Sequence, residues 1–142
     1  MYFIICGHGK FAEGLYSGAN LLYGKLENCQ AINFDEDTPH SIFKEKLAKA
    51  VEDAGDLPIL FFTDILGGTP FRECATLSAN LIQAEVISGS NLQMLVEAAI
   101  ERENATDIAA FAANIIERAK AGIIMLSAQS TRRTSKTTES GI

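Results

Sequence analysis

The sequence predicts an α/β fold: a three-layer, doubly wound and mostly parallel sheet of strand order 2-1-3-4. Three observations carry this. Apolar, strand-sized runs alternate with helix-period segments along most of the 142 residues. Repeated βα units require right-handed crossovers, and so a mostly parallel sheet covered on both faces. Glycine, proline and cap-forming residues stand at the seams, at Gly7 and Gly9, Thr38-Pro39, Gly55, Gly67 to Pro70, Gly89 and Gly122.

Taken in order, Tyr2-Phe3-Ile4-Ile5-Cys6 reads as a strand buried on both faces, ending at Gly7-His8-Gly9. Phe11, Leu15, Ala19, Leu22 and Leu26 then recur at helical spacing through 10–27. A second strand is expected over 30–34. Thr38 as cap and Pro39 at the first helical position open the next helix, whose buried stripe is Phe43, Leu47, Ala50, Val51 and Ala54. The third strand, 57–63, is strongly apolar, and Thr69-Pro70 opens a helix over 71–82. A fourth strand over 84–88 leads through Gly89-Ser90-Asn91 into a helix over 92–102. Thr106 caps a further helix with Ile108, Phe111, Ala112, Ile115 and Ala119 inward, and Gly122 separates it from a last short strand, 123–126. From Gln129 the composition turns to Ser, Thr, Arg and Lys, which cannot bury enough surface to order themselves. One domain over 1–128 and a flexible tail over 129–142 are therefore expected.

Composition narrows the function classes. A formal charge of −6 disfavours nucleic acid as a partner. No apolar run approaches the roughly 20 residues that span a bilayer, and the first strand follows Met1 without a signal-like segment, so a cytoplasmic protein is expected. Three cysteines, Cys6, Cys29 and Cys74, have no paired spacing and argue against a disulfide framework or a zinc site. No metal or cofactor is expected.

The chemistry-bearing residues gather at strand ends. In open α/β sheets, ligands collect at the carboxyl ends of strands near the topological switch point, which here lies between strands one and three. That places His8, between two glycines that leave its ring uncrowded, beside Asp64. A carboxylate bonded to one ring nitrogen fixes the tautomer and raises the basicity of the other. With no serine or cysteine in an evident elbow, His8 is itself the candidate nucleophile. On spacing alone, Asp64 reads equally as a turn or cap residue. Helix starts after Gly9, Gly68 and Gly89 offer backbone N–H groups to an anion. Thr69 is placed to cap its helix or to offer a hydroxyl to a phosphoryl oxygen, Lys10 to add a cation, and Asn91 to cap or line the pocket. Phe11, Leu66 and Phe71 are candidates for an apolar rim, and His40 is expected to be exposed and incidental.

A competing pattern exists. Gly7-His8-Gly9-Lys10-Phe11-Ala12 satisfies the loose G-x-G-x-x-G/A dinucleotide motif, with Asp35 ending the second strand. Nothing in that scheme requires Asp64 followed by Gly67-Gly68-Thr69-Pro70.

These pieces together resemble the EIIA domain of the mannose family of the bacterial phosphoenolpyruvate-dependent sugar phosphotransferase system (PTS). They are the glycine-flanked His8, the run Thr63-Asp64-Ile65-Leu66-Gly67-Gly68-Thr69-Pro70-Phe71, and Val86-Ile87-Ser88-Gly89-Ser90-Asn91-Leu92 before Met94-Leu95-Val96-Glu97, in order over 1–127. The resemblance implies that His8 takes a phosphoryl group from the phosphohistidine of HPr and passes it to an EIIB histidine. EIIB in turn serves membrane EIIC and EIID. Asp64 matches the histidine-orienting carboxylate, and Thr69 the hydroxyl near the phosphoryl group; Gly9, Lys10, Gly67, Gly68 and Asn91 fall on the phosphoryl and partner surface. Family members are homodimers in which the last strand can be exchanged, a role that falls to 123–126. No EIIB domain follows Leu126, which favours an EIIA encoded apart from its EIIB. Two alternatives stand beside this reading: the phosphoryl-donor subunit of a dihydroxyacetone kinase system, and a non-catalytic nucleotide-binding or regulatory module.

Overall fold

The structure is a computed structural model that describes residues 1–133, with side chains described through Gln129. Strands β1 (Tyr2–His8), β2 (Cys29–Phe34), β3 (Ile59–Thr63) and β4 (Ala84–Ile87) form one sheet in the order β2-β1-β3-β4. Every neighbouring pair is parallel. Helices α1 (Phe11–Tyr23), α2 (His40–Ala54), α3 (Thr69–Ser78), α4 (Leu92–Glu101) and α5 (Ile108–Ala121) cover the sheet, and α6 (Leu126–Arg133) follows.

Alternation along β1 explains the two layers of core. Phe3 and Ile5 point to one face and pack with Ala12 and Ala19 of α1, Met94 and Leu95 of α4, and Phe111 and Ile115 of α5. Tyr2, Ile4 and Cys6 point to the other, against Phe43, Leu47 and Ala50 of α2 and Cys74 of α3. Because both faces are covered, β1 and β3 read as continuous apolar runs, and Phe3, Ile4, Ile5, Phe61 and Phe62 are fully buried. Each such side chain contributes roughly 1.5–3 kcal/mol by leaving water.

Helix boundaries differ from the sequence expectation where a cap decides them. Pro39, not Thr38, is the N-cap of α2, and the helix opens at His40. Asp107, not Thr106, caps α5, its carboxylate accepting the Ala110 N–H at 3.0 Å. The first helix stops at Tyr23 instead of running to 27, because Gly24 follows with φ of 104°.

The expected last strand over 123–126 does not form in the single chain. Residues 123–125 have no regular structure, Leu126 opens α6, and among the described residues β4 pairs only with β3. A strand exists only by pairing, whereas the N–H groups of Ala128 and Gln129 both find the Met125 carbonyl within helical reach. Helix α6 crosses the composition break at Gln129, and the remainder of the expected tail lies outside the described residues.

Candidate active site

His8 is the last residue of β1, and β3 ends at Thr63, one residue before Asp64; the parallel register of the two strands brings these ends side by side. The same Asp64 oxygen, Oδ2, accepts the His8 backbone N–H at 2.8 Å and stands 2.7 Å from the ring Nδ1. Oδ1 accepts the Ile65 N–H at 2.8 Å. An ionised carboxylate has no proton to give, so Nδ1 carries the hydrogen and Nε2 of the neutral ring keeps its lone pair. Burial pushes the Asp64 carboxyl upward, yet the hydrogen bonds from the His8 backbone, the His8 ring and the Ile65 backbone outweigh it, and the group is held below the usual carboxylate range. The imidazole is 48% exposed while the carboxylate is 16% exposed, a buried anchor under an open ring.

Two glycines make the approach possible. A Cβ on Gly7 would lie 2.5 Å from the Phe11 ring and 3.0 Å from the Asp64 carboxyl carbon. A Cβ on Gly68 would come within 2.8 Å of His8 Cε1. Gly68 thus walls one side of the ring, and the Phe34 ring, 5.9 Å away and nearly perpendicular, walls another. Gly68 is also the N-cap of α3, so that helix opens its first N–H groups beside the imidazole.

The remaining expected residues divide. Thr69 lies in the first turn of α3, where Gly68 and not Thr69 occupies the cap position. It is half-buried. Asn91 caps α4, its side chain accepting the Met94 N–H at 2.9 Å. The loop that carries it is stitched to the site, since Gly89 N–H donates to the Asp64 carbonyl and Ser90 N–H to the Thr63 carbonyl. Gly9 and Gly67 take positive φ of 57° and 80°, a conformation that disfavours any other residue. Lys10 is exposed at the N-cap of α1. Leu66 is exposed beside the site, as is Ile65, whereas Phe11 packs against the core. His40 is exposed as expected, and its Nε2 lies 2.8 Å from Glu73 Oε1.

One N–H of the dinucleotide pattern is already taken. The Gly9 N–H donates to the Phe34 carbonyl at 2.9 Å and is not available to a pyrophosphate. Among the described residues, no three His, Cys, Asp or Glu side chains gather as a metal site, and no helix is long and apolar enough to cross a membrane.

A family model described as "PTS system fructose IIA component" matches residues 2–116. The chain belongs to this EIIA family. It is 31% identical over 102 residues to the PTS system fructose-specific EIIA component of Bacillus subtilis, covering 71% of this chain and 70% of that protein. It is 29% identical over 104 residues to the sorbose-specific EIIA component of Lacticaseibacillus casei, covering 73% and 75%. The crystal structure of an EIIA from Streptococcus agalactiae superposes with a TM-score of 0.83 at 32% identity, over 89% of this chain and 98% of that one. As an EIIA of the mannose type, the chain is a sugar-specific component of the phosphotransferase system. EIIA components are phosphotransfer carriers that work with HPr and EIIB.

Proposed function

We propose that His8 is the phosphoryl acceptor, taking the group from the phosphohistidine of HPr and passing it to a histidine of an EIIB protein. The observation that supports this most is the hydrogen bond that Nδ1–H donates to Asp64 Oδ2, which leaves Nε2 of a half-exposed ring as the nucleophile. The Nε2 lone pair forms the new N–P bond as the donor N–P bond breaks, and the electron pair returns to the donor ring. The proton stays on Nδ1. The His8 ring becomes cationic, and the Asp64 carboxylate stabilises that charge. The first turn of α3, with Thr69, faces the phosphoryl oxygens through backbone N–H groups and a hydroxyl.

Two histidine rings must approach one phosphorus in line, so the ground around His8 has to be shallow. Gly9, Gly67 and Gly68 withhold side chains there, and exposed Ile65 and Leu66 give an apolar docking rim. The net charge of −6 suits a basic partner surface and an association that weakens with salt. In this reading the chain acts in the cytoplasm as a homodimer formed through 123–126, and EIIB hands the phosphoryl group on to sugar brought in by EIIC and EIID. The test is a chase. Protein labelled through phosphoenolpyruvate, enzyme I and HPr is mixed with mannose-type EIIB; label moving to EIIB supports the proposal, and label that never loads or never leaves refutes it.

A further inference from the structure

A second histidine–carboxylate pair lies on the α2–α3 side of the His8 site. His40 is the first residue of α2, and Glu73 sits one turn into α3. Their 2.8 Å contact joins the two helices through a half-exposed imidazole and a carboxylate that is only 18% exposed. An ionised carboxylate only accepts hydrogen bonds, so the imidazole supplies the donor that a mostly buried Glu73 needs.

One partner stands beside a wall of the His8 ring, and the other belongs to the helix that carries the opposite wall. The His40 ring stands 6.3 Å from Phe34, and Phe34 stands 5.9 Å from His8. Phe43 supports Phe34 at 4.8 Å. Glu73 belongs to the helix whose N-cap, Gly68, lies against His8 Cε1. The pair therefore spans from the element behind one wall to the element that carries the other.

We propose that His40 and Glu73 are positioning residues, a clasp that sets the gap between Phe34 and Gly68 in which the His8 imidazole stands. The proposal rests on His8 being the phosphoryl acceptor. Neither clasp residue touches the reacting atoms. Loosening the clasp lets the ring drift out of line with the incoming phosphorus, and small misplacements of a reacting group are costly in rate.

The test compares the full chain with His40→Ala, Glu73→Ala and His40→Gln, whose side-chain amide can still donate to Glu73. Phosphorylation by phosphoenolpyruvate, enzyme I and HPr is followed at varied concentration of each variant. In parallel, the His8 Hδ2 and Hε1 resonances, which feel the Phe34 ring current, are recorded without any phosphoryl donor. The expected result is a loss of about tenfold in kcat for the two alanine variants with KM nearly unchanged. Their His8 resonances move as well, and His40→Gln restores both. Unmoved His8 resonances, a change in KM alone, or equal loss in His40→Gln overturns the clasp. If the parent chain takes no label on His8, the acceptor assignment falls, while the resonances still decide whether the clasp positions the ring.

Discussion

Asp64 grips His8 twice with a single oxygen, Oδ2, once at the backbone N–H and once at ring Nδ1. The double contact fixes both where β1 ends and which way the imidazole turns, so strand pairing and ring tautomer are set by the same side chain. Removing the carboxylate is expected to leave a folded protein with a mobile ring. Transfer from HPr to Asp64→Ala is expected to fall by roughly 10²- to 10⁴-fold, the range typical of groups that assist or orient proton-bearing catalysts. Rapid-quench measurement against parent protein, with circular dichroism as the folding control, checks this.

Acid stability follows from the same group. The Asp64 carboxyl is held below its ordinary range in the folded chain, where three hydrogen bonds outweigh burial. The unfolded chain therefore binds the proton first as pH falls, and Asp64 contributes stability above the ordinary carboxylate value of about 4. That contribution is lost as pH drops through the lowered folded value. The stability gap between parent and Asp64→Asn is expected to be largest near neutrality and to close below about pH 4 in urea titrations.

Glycines at the site separate by mechanism. Gly68→Ala places a methyl 2.8 Å from His8 Cε1 and 2.9 Å from the Ile65 side chain, so the ring has to move. Slower transfer, by about tenfold or more, with nearly unchanged melting is expected. Gly9→Ala meets nothing within 4 Å but sits at φ of 57°. It is expected to lose about 1–2 kcal/mol of stability to left-handed backbone strain. Thermal melts and phosphorylation rates on both variants distinguish the two effects.

The C-terminal segment bears on assembly. Ile123 is 73% exposed and Leu126 81% exposed, while β4 offers an edge that no described residue pairs. Exposed apolar chain and an open edge invite pairing with a second copy. Light scattering is expected to give a dimer at micromolar concentration, and Ile124→Asp together with Leu126→Asp to give a monomer. An intact chain that stays monomeric contradicts the proposed assembly.

Much of this was legible in the residues because periodicity and turn chemistry report local structure. The run Tyr2 to Cys6, the glycines around His8 and the strand order together place His8 beside Asp64, where the structure has it. The clasp was not legible: His40 and Glu73 are 33 residues apart, and no spacing rule says which faces of α2 and α3 meet. Phe34 shows in the sequence only as the end of a strand, although its pairing with His8 in the β1–β2 register sets one wall of the site. Thr69 and Thr106 failed as caps for a shared reason, since a neighbouring Gly68 or Asp107 fills the cap position instead. The strand at 123–126 failed because pairing, not propensity, makes a strand.

The central claim is that phosphorus bonds to Nε2 of His8, with Nδ1 held by Asp64. The most direct measurement is ¹⁵N and ³¹P NMR of ring-labelled protein after phosphorylation by phosphoenolpyruvate, enzyme I and HPr. The expected result is one acid-labile, base-stable adduct with N–P coupling to Nε2 of His8, absent in His8→Ala and retained at His8 in His40→Ala. Phosphorus on Nδ1, on His40, or on the His8→Ala protein would contradict it.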